Sequence, residues 1–225
     1  MSVEAEKETG TRGRRAGLTR DRVLEAAIEL IDRDGLDSFS LRRLAVEVVV
    51  EPMSLYNHVA NKDDLLDGVV EVILGKLAAD GPPTGSWQNQ VRSGAAMFRD
   101  VLLSHPQVSI LVLTRRVLTD LPVEVLRTAI TPLLTAGLPP SEAVVVLRTF
   151  TAFLTGSVLR ELGSALTFAT IDPSVTNARI KQLSESADPV LAETAEAIAR
   201  VDHQAVFQHG VELFIAGLGA RLMSG

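Results

Sequence analysis

The chain has 225 residues, 46% of them hydrophobic and 22% charged, which is enough for one or two packed domains. It has no cysteine, which excludes disulfide frameworks, cysteine nucleophiles and thiolate metal sites. Unbroken apolar runs are short, as at residues 110–113 and 143–147, and a membrane span needs roughly 18 apolar residues. The polar N-terminus holds no signal-peptide core, so the expectation is a cytoplasmic chain with no membrane partner.

The net charge of −6 averages two unlike parts. Residues 12–22 carry five arginines (Arg12, Arg14, Arg15, Arg20 and Arg22) against Asp21, whereas residues 63–225 carry 12 basic and 17 acidic side chains. A basic N-terminal stretch on an acidic body is the asymmetry expected when a polyanion is met at one end only. Residues 1–17, rich in charge and glycine, read as a disordered basic arm.

From Leu18 onward the apolar residues keep a helical period. Thr19 caps a first helix with Val23, Ala27, Leu30 and Ile31 on one face, and Gly35 lies just past its end. Ser40 caps a short second helix with Leu41, Leu44, Ala45 and Val48 inward. Pro52 opens a third that turns Leu55 and Val59 inward. Asn61 caps a fourth, with Asp64 three residues on as an acidic capping box, and its stripe is Leu66, Val69, Val70, Ile73 and Leu77.

Residues 80–85 form a Gly/Pro loop, after which Ser86 caps a helix ended by His105-Pro106. Pro122 starts a helix that stops at Gly137, and Pro139-Pro140-Ser141 starts a long one reaching Leu162. A helical piece is expected near residues 175–184, a short helix at 191–199 and a last one from about Asp202 to Leu222. No alternating strand pattern is present, so the fold class is all-α: nine or ten helices, with a three-helix helix-turn-helix unit over 18–64 and a larger helical domain over 65–225. The helix over 62–79 joins them.

The stretch Ser40-Leu-Arg-Arg-Leu-Ala45, followed by Pro52-Met-Ser-Leu-Tyr-Asn-His-Val59 and Asn61-Lys-Asp-Asp-Leu65, resembles the TetR family of tetracycline-repressor-like regulators. The family pattern Leu-Tyr-x-His-aliphatic-x-(Asn/Ser)-Lys-x-x-Leu is met without mismatch by Leu55-Tyr56-Asn57-His58-Val59-Ala60-Asn61-Lys62-Asp63-Asp64-Leu65. Scattered pieces of the second half, among them Ser86-Trp87-Gln88, Phe98-Arg99, Leu113-Thr114-Arg115 and Gly210-Val211-Glu212-Leu213, are similar to the regulatory domain of the tetracycline repressors.

The resemblance implies a homodimer that binds double-stranded operator DNA and responds to a small effector. It places Arg42, Arg43, Pro52, Met53, Ser54, Tyr56, Asn57, His58 and Lys62 at the DNA, with Tyr56 and Lys62 on phosphates. It places the dimer contact on the helices near Ser141–Leu162 and His203–Leu222. Phe98, Thr114 and Arg115 fall at pocket positions, and Leu102, Leu111, Leu133, Phe150 and Leu154 are apolar candidates beside them.

The sequence departs from the family at several points. A ring-contacting amide position falls at Gly94, and two drug-proximal histidine positions fall at about Ala78 and Leu111. A magnesium–tetracycline complex therefore lacks its imidazole ligand, and a neutral hydrophobic effector is expected. In the turn between the second and third helices Val49 stands where the family has glycine. A β-branched residue at positive φ costs about 1–2 kcal/mol, which raises an alternative: a ligand-binding dimer with impaired DNA binding, acting as a sequestering or partner-binding protein.

The four histidines make no metal-binding spacing, and no nucleophile elbow, phosphate loop or dinucleotide fingerprint occurs. Asp202-His203 lacks a nucleophile and reads as a helix cap. The expectation is a non-enzyme with no cofactor and no metal.

Overall fold

A computed structural model describes residues 18–79, 81, 83–114, 122–167 and 173–223. They form eleven helices: α1 (Arg20–Asp34), α2 (Leu41–Glu47), α3 (Pro52–Leu55), α4 (Lys62–Lys76), α5 (Trp87–Ser104), α6 (Pro106–Thr114), α7 (Val123–Thr135), α8 (Pro140–Thr167), α9 (Pro173–Ser184), α10 (Pro189–Ala199) and α11 (His203–Met223). The basic arm expected over residues 1–17 lies outside the described residues.

Local capping sets most of the helix starts. The Thr19 hydroxyl accepts from the Arg22 N–H, Ser40 from Arg43, Asn61 from Asp64 and Ser86 from Asn89. Each satisfies one of the N–H groups a helix leaves open. Asp202 likewise accepts from the Ala205 N–H at 2.9 Å, the capping role read from the sequence. At the end of α1, Gly35 takes φ +81° and its N–H returns to the Ile31 carbonyl, a turn glycine makes without strain.

One start was not legible locally. Pro106 opens a new helix, α6, where the sequence indicated only a break. The reason is a cap from far along the chain: Asp32 Oδ1 accepts the N–H groups of Gln107 and Val108, both at 3.1 Å. Asp32 Oδ2 lies 2.8 Å from His105 Nδ1, and His105 Nε2 lies 2.7 Å from Lys76 Nζ. Two helices of the N-terminal unit, α1 and α4, are thus joined to the α5–α6 corner.

A single core runs through α1–α8 and α11, from Val23, Leu44 and Leu55 to Leu154, Val158 and Leu218, without a break at residue 64. Leu183 of α9 and Ala195 of α10 are buried outside it, and these two helices pack mainly on each other. Ion pairs close the body: Arg99 of α5 makes a bidentate pair with Glu161 of α8 at 2.6 and 3.0 Å, and Arg92 of α5 pairs with Glu212 of α11. Where α8 crosses α11, a Cβ on Gly210 would lie 2.2 Å from Cζ of Phe153, so only glycine admits this ring. The stretch Pro140–Gly163 of α8 is long and apolar enough to cross a membrane. It nonetheless carries Glu142, Arg148, Arg160 and Glu161, and it buries Ala143, Phe150, Leu154, Val158 and Leu162 in the core.

The turn after α2 keeps hydrogen bonds usually associated with glycine. Val50 N–H returns to the Ala45 carbonyl at 2.9 Å and Val49 N–H to Val46 at 3.2 Å, the pair that defines a Schellman motif. Val49, in its left-handed position, has φ +56° and is the sole non-glycine residue at positive φ among the described residues. The strain expected from the sequence is therefore present, and the chain bears it rather than adopting another turn.

Candidate DNA-binding surface and ligand cavity

The helix-turn-helix is held rigid by side chains on its inner side. Leu44, Leu55 and Val59 are buried against α1 and α4. Arg20 donates to the His58 carbonyl at 2.7 Å and makes a bidentate pair with Asp64, whose other acceptor sites take the Ala60 N–H. Hydrogen bonds from Arg20, then the Ala60 N–H, hold the Asp64 carboxyl below its ordinary range. On the other side Arg33 pairs with Glu47 and Asp34, and Arg43 pairs with Asp34 and donates to the Ser38 carbonyl.

These pairings sort the expected DNA contacts. Arg43 is committed to Asp34 at 2.6 Å and Ser38 at 2.9 Å, so it fixes α2 against α1. Arg42 is exposed and has no ion-pair partner among the described residues. Lys62 donates to the Phe39 carbonyl at 3.1 Å and sits 5.6 Å from that ring's centre, which leaves two of its three N–H donors for a phosphate. Pro52, Met53, Tyr56 and Asn57 are exposed, and Ser54 and His58 are half-buried. The α-helical part of α3 ends at Leu55, earlier than the apolar pattern indicated. Beyond it Tyr56, Asn57 and His58 donate to carbonyls three residues back, a tighter coil that carries the surface on to Val59.

In the body, α4, α5, α7 and α8 line a cleft with a cavity volume of about 120 Å³ that opens to solvent. Phe98, Leu133, Phe150 and Leu154 lie on its wall, together with Leu74 of α4 and its C-cap Leu77, Val91, Gly94 and Ala95 of α5, and Val125, Ala129 and Pro132 of α7. Gln90, Thr128 and Thr151 are its polar residues, and among the described residues the wall has no charged side chain and no histidine. Phe150 also stacks on Phe214 with ring centres 4.1 Å apart, which fixes one wall against α11.

Two expected pocket residues are elsewhere. Leu102 is one turn too far along α5; it is fully buried, with its carbonyl accepting from the Ser109 hydroxyl at 2.7 Å. Leu111 is on α6 and is also buried in core packing. The Thr114 side chain and Arg115 lie outside the described residues. Missed by the sequence reading were Leu74, Gln90, Thr151 and the α7 residues Val125, Thr128, Ala129 and Pro132. Leu77 was read only as part of the apolar stripe, and Gly94 only as a lost amide. Apolar residues that line a cleft and those that fill a core share one periodicity, so the pattern carried no signal for the difference. Among the described residues no group of three or more His, Cys, Asp or Glu side chains is placed to hold a metal.

A helix-turn-helix with an exposed outer surface, built in one piece with a helical body whose cleft is lined by uncharged residues among those described, defines a class: a regulator with a DNA-binding head and a ligand-binding body. Residues 23–69 match the bacterial regulatory proteins of the tetR family, and residues 80–222 match the tetracyclin repressor-like C-terminal domain. The chain belongs to the TetR family of transcriptional regulators.

The tetracycline repressor protein class E of Escherichia coli is 29% identical over 92% of this chain and 93% of its own length. A transcriptional regulator of Saccharopolyspora erythraea is 39% identical, but over only 44% of this chain and 42% of its own. Among solved structures, apo ActR of Streptomyces coelicolor superposes with a TM-score of 0.78 at 29% identity, covering 93% of this chain and 98% of that one. A tetracycline repressor variant of Acinetobacter baumannii in complex with minocycline gives 0.69 at 28% identity, covering 89% and 93%.

Proposed function

We propose that this regulator is a repressor that binds operator DNA as a homodimer in the cytoplasm and is released by a small, neutral, hydrophobic effector. The observation that carries the reading is the cleft's wall: its described residues are uncharged, and two of them, Leu74 and Leu77, lie at the end of the helix that begins at the helix-turn-helix. An occupant there bears on α4, and α4 moves the DNA-binding head. A dimer reads half-sites about 34–36 Å apart, so a small swing of α4 in each subunit changes whether both heads fit.

A relative supports a small-molecule effector, since ActR has been solved in complex with actinorhodin. The cleft wall supports a different chemistry from a metal chelate, because its described residues offer no carboxylate or imidazole to a cation. Exposed Val144 and Val145 on α8 and Val206 and Leu213 on α11 support the dimer. The Val49 turn does not favour the alternative of impaired DNA binding. Its hydrogen bonds are intact, so the strain is borne as a cost in stability by a turn that still forms.

The test uses Nile red, a neutral hydrophobic dye, and a duplex selected from a random library. Dye fluorescence should rise on binding, and Ala129→Trp, which fills the cleft, should abolish the rise. Dye and duplex should weaken each other's binding by the same factor, a coupling of about 1–3 kcal/mol. Equal dye affinity with and without duplex, in a protein that binds both, would refute release by this route.

A further inference from the structure

We infer that the helix-turn-helix reads thymine methyl groups through the side chains of Met53 and Val49, an inference that rests on the operator-binding reading above. The exposed large apolar side chains of residues 18–79 are Val46, Val49, Met53 and Tyr56, all within the helix-turn-helix. Val49 is 87% exposed and Met53 75%. Such side chains gain nothing from the fold itself, and a cluster of them marks a surface that is covered in use.

Val49 makes the stronger case. It holds φ +56°, a conformation that costs a β-branched residue most and glycine nothing. Its side chain is almost wholly in solvent, so no packing within the chain offsets that cost. The turn's hydrogen bonds require a left-handed residue but not a β-branched one, and strain that no side-chain packing repays is characteristic of positions that act in a complex.

The border of the patch favours DNA as the occupant. Arg42 is exposed and unpaired among the described residues, Lys62 has free donors, and Asp34 and Glu47 are neutralised by Arg33 and Arg43. Asn57, exposed beside the patch, carries the paired donor and acceptor that suit an adenine edge. In the major groove the C5 methyl of thymine is the apolar group that distinguishes one base from the others. An A·T pair met by Asn57 and an apolar neighbour is thus read from both edges.

The experiment replaces each thymine of the selected duplex, one at a time, by deoxyuridine, which keeps every hydrogen bond and lacks the methyl. Binding of the full-length protein is measured by fluorescence anisotropy at constant salt. The wild type should lose roughly three- to fivefold at one or more thymines per half-site, the effect of burying one methyl. Met53→Ala and Val49→Gly should each bind thymine and deoxyuridine alike at one of those positions, with an unchanged salt slope. Val49→Gly should do so while becoming more heat-stable, a combination that a purely structural role of Val49 does not produce.

Wild-type binding that is indifferent to deoxyuridine everywhere overturns the inference, as does an undiminished preference in both variants. If deoxyuridine is neutral and Met53→Glu alters the sedimentation of the DNA-free protein, the patch is a protein contact instead. If the wild type selects no duplex at all, the operator-binding reading fails, a result distinct from indifference to the methyl.

Discussion

At Val49 a single Cβ decides the local energetics. The turn's hydrogen bonds demand a left-handed residue, and valine supplies it at φ +56° with its side chain in solvent. Glycine there loosens the unfolded chain, which works against the gain, but release of a β-branched residue from this region is the larger effect. Val49→Gly should therefore stabilise the protein by about 1 kcal/mol, raising the thermal midpoint by about 2–4 °C; an unchanged or lower midpoint would contradict the strain. The ion pairs of the same domain set a pH response. Hydrogen bonds from arginine hold Asp34, Glu47 and Asp64 below their ordinary values of 3.8, 4.5 and 3.8. A carboxylate lowered in the folded state contributes stability that is present above its unfolded pKa and lost as pH falls through the folded one. Scanning calorimetry should show a midpoint that is flat from pH 8 to about 5.5 and falls below about 4.5, with a shallower fall in Arg20→Ala.

Among the helices, α6 shows what a distant cap contributes. Asp32 of α1 satisfies two N–H groups of α6 and the His105 ring together. Asp32→Ala leaves all three without this acceptor and should cost about 1–3 kcal/mol in urea denaturation. Asp32→Asn keeps an acceptor and should recover part of the loss. The same change should speed amide exchange at Gln107 and Val108 more than in α5, because the first turn of α6 is what Asp32 holds. Uniform exchange across both helices would show that the cap is incidental. The starts at Thr19, Ser40, Asn61 and Ser86 use caps three residues from their donors, which is why they could be read from the chain.

For the whole molecule, the connection between head and body runs through α4 and the Asp32–His105–Lys76 contacts. Both domains share one core, so a displacement at the cleft has no loose linker in which to dissipate. The exposed apolar faces of α8 and α11 belong to the same scale. A Cβ on Gly217 meets nothing within 4 Å in the single chain. Gly217→Arg should consequently leave the fold of one subunit intact, yet place an uncompensated charge in the proposed dimer contact. Sedimentation at micromolar concentration should show a dimer for the wild type and a monomer for the variant. A wild-type monomer would remove the two-headed operator from the proposal.

Sequence alone determined the all-α class, the order of most helices, the inner face of α1 and the outer face of the helix-turn-helix, because caps and apolar periods act over a few residues. It also marked Val49, since a glycine-requiring turn is recognisable from its neighbours. Only the tertiary structure separated Arg42 from Arg43, because the acid that engages Arg43 comes from α1. Only the tertiary structure, too, removed Leu102 and Leu111 from the cleft and put Leu74 and Leu77 into it. Hydrophobic periodicity states which residues leave water; whether they meet a neighbour or an open space depends on how the helices cross.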